Sequence, residues 1–269
     1  MTSQTLDQVA KSLIGGPASE ESLQRAYIVL PAYNEEKSLP PLLTAIREAL
    51  EPSGISYGVI VVDDGSRDAT AKVVRGYQAD MPVELVMHCK NQGLAAAIRT
   101  GFLAALERCG PNDVIITMDS DNTHPPKLIL QMISVLNDDR DVVIASRFQP
   151  GATVTGVPRS RVLYSLGAKW LFQALFPIHG VRDYTCGYRA YRAEAVWQAL
   201  QMYGDNLISE TGFSCMADLL LKLRRLPLVM SEVPFELRYD RRGNDSKMRV
   251  MRTIRQTLML MVRRKMGQL

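Results

Sequence analysis

Short apolar runs alternate with longer amphipathic stretches through the first half of the chain. Tyr27–Leu30, Val59–Val62, Val83–Met87, Val114–Met118 and Val142–Ala145 are rich in β-branched residues and predict strands. Between them, apolar residues at helical spacing predict helices near 39–50, 69–79, 94–108 and 126–137. This alternation predicts an α/β fold, a mostly parallel sheet flanked by helices. Beyond Pro150 the pattern changes to a loop at 149–160 and an apolar helix near 161–176. A polar knot from Arg182 to Arg189, a helix near 210–224 and a strand near 228–237 follow. From Lys247 to Met266, helical spacing puts Met251, Ile254, Leu258, Met261 and Val262 on one face and Arg249, Arg252, Arg263 and Arg264 on the other. The expected organisation is an N-terminal arm over 1–24, one domain over 25–245 and a basic amphipathic C-terminal helix over 246–269.

Composition changes this picture in two places. No apolar run approaches the roughly 20 residues of a membrane span, and the first residues lack a signal-peptide core. The expectation is a cytoplasmic protein, peripheral at most at the inner face of the membrane. The net charge of +4 is unevenly spread: Leu237 to Leu269 holds ten of 32 Lys/Arg and two of 28 Asp/Glu, so this tail carries +8 and the remainder −4. A basic tail on a near-neutral body predicts an anionic partner. Lipid, the protein's own core and a second subunit all remain open as cover for its apolar face. Nothing points to a nucleic acid. Four scattered cysteines form no C-x-x-C pair, which predicts reduced, mostly buried thiols.

The candidate chemistry sits at predicted strand ends, where ligands bind on such sheets. Asp119-Ser120-Asp121 follows the fourth strand. Two carboxylates at this spacing suit Mg2+ or Mn2+, which bind one or two carboxylates plus substrate phosphates. The plainer alternative is a solvated turn. His124 is a third ligand, a donor that supports the carboxylate ligands, or a structural ring. Asp63-Asp64-Gly65-Ser66 follows the second strand; Ser66 or Asp68 can cap the next helix, and Asp64 can accept from a base edge or ribose. Pro31 to Glu35 forms the opposite wall, with Tyr33 against a base and Glu35 on a ribose hydroxyl, unless it only starts a helix.

These segments carry a resemblance. Leu30-Pro31-Ala32-Tyr33-Asn34-Glu35, Val62 through Thr70, Asn91 through Gly101 and Met118-Asp119-Ser120-Asp121 resemble family 2 glycosyltransferases in order and spacing. Further on, Asp121 through Pro126, Ser146-Arg147-Phe148, Arg161 through Ala168, Arg182 through Arg189, and Asp240 through Lys247 resemble the dolichol- or polyprenol-phosphate mannose synthase branch. The resemblance implies a GT-A fold and an inverting transfer from a GDP- or UDP-hexose. It implies Mg2+ or Mn2+ on Asp119 and Asp121. It assigns Pro31, Tyr33, Glu35, Asp63, Asp64, Asn91, Gly93, Ser120, Arg241 and Lys247 to the nucleotide-sugar, and makes Arg147, Arg161, Arg241 and Lys247 collectors of phosphate.

Three functions follow as alternatives. A lipid-phosphate acceptor is already anionic and needs no general base. A soluble hydroxyl acceptor needs one, with Asp183 and Glu210 as candidates unless each pairs with an arginine. A non-catalytic nucleotide-sugar-binding protein would not need the Asp119/Asp121 pair.

Overall fold

The computed structural model describes residues 24–212, 214–241 and 250–267. The alternation expected for the first half is present. Its elements are β1 (Arg25–Ala32), α1 (Leu39–Leu50), β2 (Ser56–Asp63), α2 (Thr70–Tyr77), β3 (Val83–Met87), α3 (Leu94–Leu106), β4 (Val114–Thr117), α4 (Leu128–Asn137) and β5 (Val142–Ser146). With β7 (Arg189–Arg192) and β8 (Met230–Pro234) from the second half, the main sheet has seven strands in the order β3-β2-β1-β4-β7-β5-β8. Ile28, Val29, Leu30, Ile115, Ile116, Val143 and Ile144 are fully buried because helices cover both faces.

Register decides what meets at the strand ends. Ala32 lies beside Asp63, Val29 beside Thr117, and Ser146 beside Pro234. The loops carrying Pro31–Glu35, Asp63–Ser66, Asp119–Asp121 and Arg147 therefore leave the sheet along one edge.

The second half departs from the sequence reading in three places. The stretch after the polar knot forms β7 (Arg189–Arg192), antiparallel to β4 and β5, and then α6 (Ala193–Tyr203). Arginines at both ends of a four-residue strand hide its apolar character. The fold accommodates them because carbonyls meet the guanidiniums: Met216 and Tyr184 accept from Arg189, and Leu136 and Arg140 from Arg192. The expected loop at 149–160 holds β6 (Thr153–Thr155) and the start of α5 (Arg159–Leu175). The strand expected near 228–237 is divided at Phe235 into β8 (Met230–Pro234) in the main sheet and β9 (Glu236–Arg238), which pairs with β6.

Two helices complete the chain, α7 (Ser214–Leu223) and α8 (Val250–Lys265). α8 rests on α5 and α7, and Leu260 and Met261 are buried. The Arg264 guanidinium sits 2.6 Å from the buried Asp218, which also pairs with Lys222 at 2.7 Å. The amphipathic face expected for this helix is thus split. Met261 turns inward, while Met251, Leu258 and Val262 stay exposed. The expected boundary at 245/246, the arm through residue 23, and the basic residues Lys247 and Arg249 lie outside the described residues.

Candidate active site

Asp119, Ser120 and Asp121 follow β4 directly. The Ser120 hydroxyl donates to the Pro31 carbonyl at 2.9 Å, which ties this loop to the end of β1 and turns Ser120 away from solvent. Asn122 takes a left-handed φ of 64°, and Asp121 Oδ1 accepts the Thr123 hydroxyl at 2.6 Å and its N–H at 3.2 Å. Asp121 is thereby held nearly buried, whereas the Asp119 side chain keeps 35% of its surface open. Gly187 lies against Asp119: a Cβ there would stand 3.6 Å from Oδ1. The segment before β7, which joins β4 by the Thr117 hydroxyl on the Gly187 carbonyl, therefore walls the exposed carboxylate.

The two carboxylates fit a hard divalent cation that takes its remaining ligands from phosphate. His124 does not complete a three-ligand set. Its Nδ1 accepts the Asp119 N–H at 3.1 Å, so the neutral ring carries its proton on Nε2, 3.7 Å from Asp119 Oδ2. A nitrogen bearing that proton has no lone pair for a metal. The ring is buried, stacked on Tyr188 at 5.0 Å and edge-on to Phe235. Among the described residues no three His, Cys, Asp or Glu side chains converge as a metal cage.

On the side of β1, β2 and β3 the loops are sewn to one another. Asp63 accepts the Ser66 N–H, Asn34 the Arg67 N–H and Glu36 the Ala69 N–H, while the Asn34 N–H donates to Ser66 and the Glu35 N–H to Thr70. Asp68, not Ser66, accepts the N–H of Thr70 at the start of α2. Asp64 is turned back into the protein. Its Oδ1 takes His88 Nδ1 at 2.7 Å and the Gln92 N–H at 2.8 Å, and its Oδ2 takes the Gly93 N–H at 2.8 Å. These bonds shape the Asn91–Gly93 turn, and Gly93 spends its N–H there. Gly65, at φ +71°, abuts the Lys90–Asn91 backbone; a Cβ would fall 2.6 Å from the Lys90 carbonyl carbon. Tyr33 is half-exposed at this edge, Glu35 is buried, and Asn91 is exposed.

On the side of β5 and β7 the polar groups are ion pairs. Arg147 grips Asp183 through Nε and Nη2, each at 2.7 Å, and its Nη2 also reaches Thr185. The N–H groups of Arg147, Thr185 and Cys186 complete the shell of Asp183. Burial alone would raise the Asp183 carboxyl, but Arg147 and these N–H groups outweigh it and hold it below the usual carboxylate range. Such a carboxylate is a poor base, and the pairing with an arginine allowed for in the sequence is the arrangement Asp183 adopts. Glu210, the other candidate, pairs with Arg263 at 3.0 Å. Arg147 is correspondingly committed to Asp183 rather than free to collect phosphate. Arg161 bonds the Tyr239 hydroxyl and lies over its ring. Tyr239 follows Arg238, whose N–H donates to the Thr123 carbonyl, so Arg161 connects through β9 to the Asp119–Asp121 loop. Arg241 is exposed just beyond, and Lys247 lies outside the described residues.

Several supporting residues escape a sequence reading. Thr123 carries a local signal, an Asp two residues earlier. His88 under Asp64 carries none, nor does Glu232, which accepts the Arg182 and Asp183 N–H groups at 2.7 and 2.6 Å. Their partners are distant in the chain.

Comparison with known proteins gives one consistent answer. Residues 27–200 match the family described as Glycosyl transferase family 2. The undecaprenyl-phosphate mannosyltransferase of Micrococcus luteus is 32% identical over 83% of this chain and 87% of its own. The polyprenol monophosphomannose synthase of Mycolicibacterium smegmatis is 30% identical over 81% and 79%. The dolichol-phosphate mannosyltransferase of Pyrococcus furiosus is 31% identical over 82% of this chain, which spans only 58% of that protein's length. Among solved structures, glucosyl-3-phosphoglycerate synthase from Mycobacterium tuberculosis, with Mn2+, UDP and phosphoglyceric acid, superposes with a TM-score of 0.64. At 20% identity over 91% of this chain and 79% of that one, it shares the GT-A fold.

Proposed function

The chain belongs to glycosyl transferase family 2 and is a glycosyltransferase, and on that premise we propose that it moves a hexose from a GDP- or UDP-sugar to a polyprenyl phosphate. The observation that carries this reading is the Asp119–Asp121 loop at the strand ends, with one carboxylate open and the other held by Thr123. The relatives at 30–32% identity are named as transferases to lipid phosphates.

In this reading a phosphate oxygen of the acceptor attacks the anomeric carbon as the bond to the nucleoside diphosphate breaks, with inversion. The acceptor anion needs no base, in keeping with two candidate bases that are both tied to arginines. Asp119 and Asp121 would hold Mg2+ or Mn2+, which neutralises charge on the departing diphosphate. Tyr33 and Glu35 border the nucleotide, and Arg161 and Arg241 attract the acceptor phosphate. Arg147 acts through Asp183, by fixing the segment that walls Asp119.

The test is transfer of radiolabelled sugar from GDP-mannose or UDP-glucose to a water-soluble short-chain prenyl phosphate, with and without divalent cation. Cation-dependent formation of the prenyl phosphosugar is expected. Transfer to hydroxyl acceptors alone would replace the lipid-phosphate reading.

A further inference from the structure

α5 and α8 lie against each other and turn apolar side chains outward. On α5, Lys169 is the one charged residue from Val162 to Leu175, and Leu163, Leu166 and Trp170 recur at helical spacing on the exposed side. Leu163 and Trp170 expose 68% and 65% of their surfaces. On α8, Leu258 and Val262 do the same, and Met266 follows just past its end. A monomer rarely leaves such a patch open to water.

We infer that the joined outer faces of α5 and α8 dock on an anionic lipid surface, lying in its plane. Charge selects this occupant. Neither helix contains an Asp or Glu, and Arg252, Arg255 and Lys265 stand exposed among the apolar residues of α8. A second copy of the chain, related by a two-fold axis, would bring these cations against their own equivalents, whereas anionic headgroups neutralise them. Length sets the orientation. The 17 residues of α5 reach about 26 Å, short of the roughly 30 Å hydrocarbon core, and no described helix is long and apolar enough to cross a membrane. Trp170 beside Lys169 is the pairing of ring and cation that suits the headgroup level.

The position of the patch gives it a purpose, which rests on the lipid-phosphate reading. Arg161 lies in the first turn of α5 against Tyr239, and the exposed apolar side chains start at the next residue, Val162. A molecule with a phosphate head and a prenyl tail would cross the same boundary in the same order.

The experiment is co-sedimentation of the full chain with vesicles of phosphatidylcholine, with and without phosphatidylglycerol, at low and high salt. A Trp197→Phe background leaves Trp170 as the reporting tryptophan. Salt-sensitive binding to the anionic vesicles is expected, with Trp170 emission shifted to the blue and quenched by brominated acyl chains. Leu258→Ser with Val262→Ser, both exposed on α8, should weaken binding at least about tenfold while leaving transfer to a short-chain prenyl phosphate in solution unchanged. A chain that stays in the supernatant, an unshifted Trp170, or a dimer in solution that shields Trp170 overturns the inference. Vesicle binding without transfer to any prenyl phosphate leaves the docking face standing and removes the proposed function instead.

Discussion

The strand-end edge has two halves that hold their polar groups by different means. Around β1, β2 and β3 the side chains of Asn34, Glu36, Asp63 and Asp64 accept backbone N–H groups of neighbouring loops. Around β5 and β7 the same task falls to carboxylates, the buried Asp183 in the grip of Arg147 and the half-buried Glu232 beneath the Arg182–Asp183 backbone, and α7 adds the buried Asp218 between Lys222 and Arg264. The first half can lose one hydrogen bond at a time, at about 1–3 kcal/mol each. In the second, deleting one partner strands a charge away from water, which costs about 3–5 kcal/mol. The half around β1, β2 and β3 should therefore yield gradually to substitution and the other half abruptly.

The boundary between the halves is Asp119–Asp121, where the largest effect on activity is expected. Asp119→Asn should lower transfer by on the order of a hundredfold or more with the melting temperature nearly unchanged, because its side chain is partly open. Steady-state kinetics beside a thermal melt measures both. Full activity would remove the pair from the mechanism.

Asp183→Asn probes the buried-charge half and should cost about 3 kcal/mol or more in denaturant unfolding. The acid limb carries a second signature. Because the folded Asp183 carboxyl is held below its unfolded value, its stabilisation is complete above about pH 4 and is lost as pH falls through the lower folded value. Burial pushes the Glu232 carboxyl the other way, so its share is present in acid and fades as pH rises through its raised value. The Asn variant should flatten the acid limb and leave the Glu232 trend intact. A variant as stable as the parent would end the contrast between the halves.

Asp64→Ala is the matching change in the half around β1, β2 and β3. It removes the acceptor for His88, Gln92 and Gly93 and should cost about 2 kcal/mol, with a smaller drop than Asp183→Asn in the same unfolding assay. Calorimetry with GDP and UDP sharpens the result. Weakened nucleotide binding at unchanged stability would return Asp64 to the ligand.

The smallest effect is expected at Glu210→Gln. Its partner Arg263 is half-exposed, so the pair is worth about 0.5 kcal/mol and transfer should stay near the parental rate. A hundredfold loss of kcat without loss of stability would make Glu210 a base and favour a hydroxyl acceptor.

The amino-acid sequence by itself determined the five parallel strands with the four helices between them, the strand-end loops and the Asp119–Asp121 pair. These signals are local: a β-branched run, a helical period, two carboxylates two residues apart. Tertiary structure decided what those residues do. Asp183 needs Arg147, 36 positions away, to become an inert carboxylate, and its loop needs Glu232, 49 positions on. β7 is a strand because carbonyls of other elements receive Arg189 and Arg192. His124 has its Nδ1 taken by the backbone N–H of Asp119. The outward apolar face of α5 exists only relative to the core that buries Phe172 and Phe176. A residue's type sets which bonds it can make; only the folded chain decides which are already taken, because burial and partnership depend on segments that local pattern does not connect.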